Sequence, residues 1–151
     1  LKLVSEWDKT FPQSEKVDHK KVKFVSRYGI TLAADLYKSK NKSGKYPAIA
    51  VSGPFGAVKE QCSGLYAQTM AERGYLTIAF DPSFTGESGG YPRFMASPDI
   101  NTEDFMAAVD FLSIREDVDP DKIGIIGICG FGGMALNAAA LNCLLKCLTV
   151  F

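Results

Sequence analysis

The stretch that most restricts what this chain can fold into is KIGIIGICGFGG, Lys122 to Gly133, where a short apolar run meets a cysteine and then a cluster of glycines. A continuous apolar run of this length is the pattern of a strand buried on both faces. Glycine directly after it marks a sharp turn or a close approach of backbone. Two mechanisms compete for the cluster. In one, Gly130, Gly132 and Ala135 form a GxGxxA phosphate cradle at a strand-to-helix junction; in the other, Cys129 is a nucleophile on a strained turn.

The rest of the chain supplies the setting. From Lys20, KVKFVSRYGITLAADLY alternates around Tyr28 and Gly29, which predicts an antiparallel hairpin. The polar segment from Ser39 to Lys45 separates it from YPAIAVSG, a buried strand. Glu60 to Arg73 reads as a helix stopped by Gly74, and YLTIAF resumes an apolar strand, completing a βαβ unit. In NTEDFMAAVDFL, Asn101 is placed to cap a helix, two acids occupy its first turn, and Phe105, Ala108, Val109 and Leu112 share one face. VDPD turns the chain into KIGIIGI, a helix is expected from about Gly130 to Asn142, and LLKCLTVF is a sixth strand.

This alternation predicts an α/β fold of three layers: a mostly parallel sheet of about six strands with an N-terminal antiparallel hairpin and helices on both faces. Residues 1–19 form an N-terminal extension and 20–151 the domain. Ligands gather at the carboxyl ends of the strands in such sheets. The loops leaving those ends are SGPFGAVKE, DPSFTGESGGYP and CGFGG.

Bulk properties narrow the partners. A chain of 151 residues with 46% hydrophobic and 23% charged residues fits one globular domain. Lys+Arg and Asp+Glu balance at 17 each, which leaves no summed field for nucleic acid or an anionic membrane surface. The segment before residue 22 has no apolar stretch of membrane or signal length, so no membrane association is expected. Cys62, Cys129, Cys143 and Cys147 make no CxxC pair or Cys/His box, so neither a metal nor a cofactor is implied, and reduced thiols suit a cytoplasmic protein. Cys143 and Cys147 would sit one turn apart on a helix, but Cys147 falls on the sixth strand, so no disulfide is expected.

The cradle lacks its usual context. A dinucleotide fingerprint follows the first strand of its sheet and is itself followed, about 20 residues on, by an acid for the ribose. Here it follows the fifth strand, with only Thr149, Val150 and Phe151 at that distance. The turn reading needs a small residue two before the nucleophile, which Gly127 supplies, and the amino end of the next helix favours a thiolate at Cys129. Acyl transfer also needs donors for the developing oxyanion: the Gly130 amide is one and, because Pro54 has no N–H, the Phe55 amide is the second. Phe131 stands where a second small residue is usual, and its ring is expected to cover the pocket. The plain alternatives are a buried structural Cys129 and an ordinary glycine-proline turn at SGPFG.

Taken together, SGPFGAVKEQ, AFDPSFTGESGG and IGIIGICGFGGMALNAAA resemble the alpha/beta-hydrolase superfamily, and the elbow cysteine with the YGITLAADLY hairpin looks like its dienelactone hydrolase-like branch. The resemblance runs from about residue 20 onward. It implies the first six strands of that fold, in the order 1-2-4-3-5-6, and a small-molecule ester, thioester or related acyl substrate. In that branch the catalytic acid and histidine follow later strands, so the resemblance implies a truncated alpha/beta-hydrolase fold whose catalytic set is incomplete in this chain. His19, in the polar run DHKK, is expected to be solvated and to have no base role. Asp81 and Glu87 are candidates to face the pocket and orient a base supplied from elsewhere, and Glu60 stands beside the oxyanion loop. An open sixth-strand edge predicts a homo-oligomer. The alternative function is a non-catalytic α/β binding or interaction module.

Overall fold

The structure is a computed structural model that describes residues 1–41 and 43–150. Lys42, inside the polar connection expected between Ser39 and Lys45, and Phe151 lie outside the described residues. The alternating segment forms β1 (Val17–Val25) and β2 (Thr31–Ser39), antiparallel along their whole length, with Val17 opposite Ser39 and Val25 opposite Thr31. The turn closes through Ser26 N–H to the Ile30 carbonyl at 3.0 Å. β1 therefore starts three residues before the expected Lys20 and takes His19 into the strand.

The remaining elements are β3 (Tyr46–Ser52), α1 (Cys62–Glu72), β4 (Leu76–Phe80), α2 (Pro98–Ser113), β5 (Val118–Gly127), α3 (Phe131–Leu141) and β6 (Leu145–Val150). They build one six-stranded sheet in the order β1-β2-β4-β3-β5-β6. β4, β3, β5 and β6 are parallel, and β2 runs antiparallel to both β1 and β4. This is the strand order that the resemblance implies.

Two local expectations fail for identifiable reasons. Asn101 does not cap α2, because Ser97 stands at the cap position and Pro98 opens the helix, where its missing N–H is harmless. Asn101 instead lies buried one turn in, its Oδ1 accepting the Ser97 N–H at 3.0 Å and its Nδ2 donating to Asp104 Oδ2 at 3.0 Å. VDPD is not a turn but the start of β5, with Val118 opposite Tyr46. The register shifts between Tyr46 and Ala48, the kind of irregularity at which a sheet tolerates a residue such as Pro120.

The sheet is covered on both faces. α2 and α3 seal one, around Leu36, Phe80, Phe105, Leu112, Ile125 and Phe131. α1 packs on the other against Tyr37, Val51, Ala79 and Ile126, joined by Trp7 and Phe11 from the N-terminal extension. Gln68 of α1 fastens that extension, donating to the Pro12 carbonyl at 3.0 Å and accepting the Ser14 N–H at 3.1 Å. Among the described residues no helix is long and apolar enough to cross a membrane.

Candidate active site

β5 ends at Gly127 and α3 begins at Phe131, so the chain reverses within three residues. Ile128 N–H still bonds the Ser52 carbonyl at 3.1 Å, and Cys129 then takes a left-handed backbone, φ +58°. That conformation costs a non-glycine residue about 1–2 kcal/mol and persists where surrounding structure enforces it. The enforcement is visible at Gly127: a Cβ there would lie 2.6 Å from both Ala135 Cβ and the Phe131 carbonyl oxygen. Strand and helix can fold back this tightly only over glycine. Cys129 is exposed at the crest of the reversal, not packed as a small apolar residue.

The loop after β3 lies directly on this crest. A Cβ on Gly53 would meet the Ile128 carbonyl oxygen at 2.4 Å, and one on Gly130 would meet the Phe55 ring at 2.0 Å. Among the described residues, neither the Gly130 nor the Phe55 main-chain N–H finds an acceptor. At the GxGxxA glycines the Phe55 ring lies over Gly130, and Val150 Cγ1 is 2.3 Å from a Cβ built on Gly132. Phe131 is only 2% exposed; its ring packs on Phe55, centroids 4.9 Å apart, and on Phe105 at 6.3 Å. It lines a cavity of about 380 Å³ together with Phe55, Val58, Arg93, Phe94 and Met95. A residue too large for the usual elbow is thus accommodated by turning its ring into the core beneath the pocket.

The three acids singled out in the sequence stand behind this cavity, gathered on Lys59. The Lys59 side chain is fully buried, and its Nζ lies 2.9 Å from Asp81 Oδ2, 2.7 Å from Glu87 Oε2 and beside Glu60 Oε1. The Asp81 carboxylate also accepts the main-chain N–H groups of Lys59 and Glu87, each at 2.8 Å. Lys21 adds a second cation, 2.8 Å from Glu87 Oε2. Burial alone would push the Lys59 ammonium down, but Asp81, Glu60 and Glu87 outweigh it and hold the group charged. Burial likewise pushes Glu87 up, and the hydrogen bonds from Lys21 and Lys59 overcome it, leaving its pKa at about 2. The sequence alone does not single out Lys59; its one signal is Asp81, an acid placed where the largely apolar strand LTIAF ends and therefore in need of a buried partner.

Residues 28–148, from the hairpin turn through most of β6, match the family described as X-Pro dipeptidyl-peptidase (S15 family). The chain belongs to that family. Its relatives include protein PA2218 of Pseudomonas aeruginosa, 70% identical over 143 residues, which are 94% of this chain and 38% of PA2218. The crystal structure of PA2218 superposes with a TM-score of 0.97 at 67% identity, covering 99% of this chain and 47% of that one. Thiohydrolase aneE of Aspergillus aculeatus is 32% identical over 129 residues, 85% of this chain and 40% of its own length. The alpha/beta hydrolase GrgF of Penicillium sp. sh18 aligns with a TM-score of 0.82 at 26% identity, covering 88% and 45% of the two chains. The fold is that of the alpha/beta hydrolases, dienelactone hydrolase-like structures included, one of which aligns at 22% identity with a TM-score of 0.72. The chain spans less than half the length of PA2218, aneE and GrgF.

Within this S15-family chain, the one histidine stands far from Cys129. His19 lies on β1, four strand spacings, about 19 Å, from β5. Contrary to the expectation of a solvated side chain, it is packed between Trp7 and Tyr37, at ring-centroid distances of 5.1 and 5.0 Å, with Nε2 2.8 Å from Asp35 Oδ1. Lys9 Nζ reaches the other oxygen of Asp35 at 3.1 Å. The extension folding over β1 is what removes His19 from water.

Proposed function

We propose that the chain holds the nucleophile half of an acyl hydrolase acting on esters, thioesters or related acyl compounds. Cys129 attacks the acyl carbon: a C–S bond forms, the carbonyl π electrons move to oxygen, and the Gly130 and Phe55 amides receive the resulting oxyanion. Collapse of that intermediate expels the alkoxide or thiolate, which takes up a proton, and water then releases the acid and regenerates the thiol. The general base and its orienting acid belong to chain beyond this one, a reading supported by the greater length of the relatives and by the distance of His19 from the elbow. The apolar lining from Phe55, Val58, Phe94, Met95 and Phe131 suits an apolar acyl group.

The observation behind this reading is an exposed thiol at φ +58°, followed by the unpaired Gly130 amide and overlain by a loop in which the Phe55 amide is also unpaired among the described residues. A left-handed cysteine persists only where the surrounding structure enforces it, and amides without a protein acceptor at a solvent-facing turn are free to bond a ligand in place of water. Exposure of the chain to p-nitrophenyl acetate, followed by intact-mass and peptide mass spectrometry, tests it. One acetyl group on Cys129 is expected, with none in Cys129→Ala and little turnover in this chain. Equal p-nitrophenolate release from parent and variant would remove Cys129 from the mechanism.

A further inference from the structure

We infer that Lys59, Asp81 and Glu87 are positioning residues: a buried ionic knot that sets the Phe55 amide at its distance from the opposite wall of the acyl pocket. This rests on the proposed acyl chemistry and assigns to it three side chains that touch no substrate. Each is the sequence neighbour of a residue that lines the cavity: Val58 precedes Lys59, Pro82 follows Asp81, and Gly86 precedes Glu87. The first wall comes from the loop between β3 and α1 and the second from the loop between β4 and α2. Asp81 joins them, taking the Lys59 N–H on Oδ1 at 2.8 Å and the Lys59 Nζ and Glu87 N–H on Oδ2 at 2.9 and 2.8 Å. The second loop wraps the carboxylate so closely that a Cβ on Gly86 would fall 2.3 Å from Asp81 Oδ2.

Stability alone does not account for such an arrangement. A buried ion pair gains little over well-packed apolar residues, because the desolvation of both partners offsets their attraction. What it provides is geometry, since every donor and acceptor has one position that satisfies it. An oxyanion donor needs that geometry, and small misplacements lower rates steeply. Phe55 supplies only part of it locally: its ring rests on Phe131, but the residue is 48% exposed and its amide has no acceptor among the described residues. The rest of its position comes from the turn that the Ala57 N–H closes on the Pro54 carbonyl at 3.2 Å and from the loop's two ends, the Ser52 carbonyl bonded to Ile128 and the Lys59 backbone bonded to Asp81.

The test compares two reactions of the same thiol. Acylation of Cys129 by p-nitrophenyl acetate passes through an oxyanion, whereas alkylation by iodoacetamide does not. In Lys59→Met the acylation rate is expected to fall by about tenfold to a hundredfold, and in Glu87→Gln by about threefold, with alkylation within about twofold of the parent in both. Unchanged acylation in both variants, or acylation and alkylation falling together, overturns the inference. Glu87→Gln decides alone if Lys59→Met does not fold. Should the parent itself take no acetyl group, the acyl-transfer reading fails, and amide hydrogen exchange still decides the knot. Faster exchange across residues 53–60 and 84–90, with β3 and β5 unaffected, supports it; unchanged exchange in both loops overturns it.

Discussion

The elbow and the lysine knot lie on the same rim of the sheet and treat their polar groups in opposite ways. In the knot, Lys59 is fully buried among three carboxylates, and the Asp81 carboxylate takes three donors. At the elbow, Cys129 is exposed and left-handed, and the neighbouring amides of Gly130 and Phe55 have no acceptor among the described residues. A group whose bonds are already satisfied cannot respond to a reacting molecule, and an unsatisfied one does not stay in place by itself. On the proposed reading the rim separates two tasks, saturated support behind the cavity and unsaturated chemistry at its mouth.

The comparison breaks most severely at Gly127, because both reversal and loop rest on it. Valine there would put Cβ 2.6 Å from the Phe131 carbonyl oxygen and from Ala135 Cβ, contacts that no side-chain rotation relieves. Gly127→Val is expected to lose more than about 4 kcal/mol, the range of severe core overpacking combined with backbone displacement. Urea unfolding followed by Trp7 fluorescence would read it, and a variant within about 1 kcal/mol of the parent would show that the turn is looser than described.

The two regions were unequally legible. The succession of strands and helices was legible in the alternating hairpin and the apolar runs after it, the strand order only through the family resemblance, and the elbow in Gly127, Cys129 and Gly130, which lie within four positions of one another. The knot is the reverse case: Lys59 finds Asp81 22 residues away and Glu87 28 away, and a lone lysine in a loop reads as solvated until the loops are folded together. His19 was hidden in the same manner, since DHKK is polar on its own and His19 is half-buried only because Trp7 packs against it. The aromatic pair in WDKTF was the available sign that the extension packs. Asn101 misled because capping residues within four positions of each other look alike; Pro98, tolerated only in a first turn, marks Ser97 as the true start.

Acid sharpens the contrast with a smaller effect. The pKa of Glu87 in the folded protein lies at about 2 against an ordinary 4.5, so its contribution to stability is complete above pH 4.5 and is lost as pH falls from there toward 2. The urea midpoint of the parent should therefore decline across that window. In Glu87→Gln the decline should be shallower but not absent, because Asp8, held at about 2 by Lys21 and Lys9 against its own desolvation, titrates over the same range. Parallel pH profiles for parent and variant would mean that Glu87 gains nothing from the knot.

The smallest effect is the most direct reading of the elbow's strain. Replacing Cys129 by glycine removes the left-handed penalty of about 1–2 kcal/mol. It also adds freedom to the unfolded chain, which costs about 0.4–1 kcal/mol. Because Cys129 is exposed, its side chain has little packing to lose. The balance is a gain between zero and about 1.5 kcal/mol, at most a rise of a few degrees in melting temperature for a chain of this size. An equal rise in Cys129→Ala would assign the effect to the thiol, since alanine keeps the Cβ and the strain; a fall in Cys129→Gly would mean that φ +58° stores nothing at this position. A stabilised Cys129→Gly beside an unmoved Cys129→Ala identifies backbone held against its preference at the point where the thiol is presented, the arrangement that separates a reactive turn from an ordinary one.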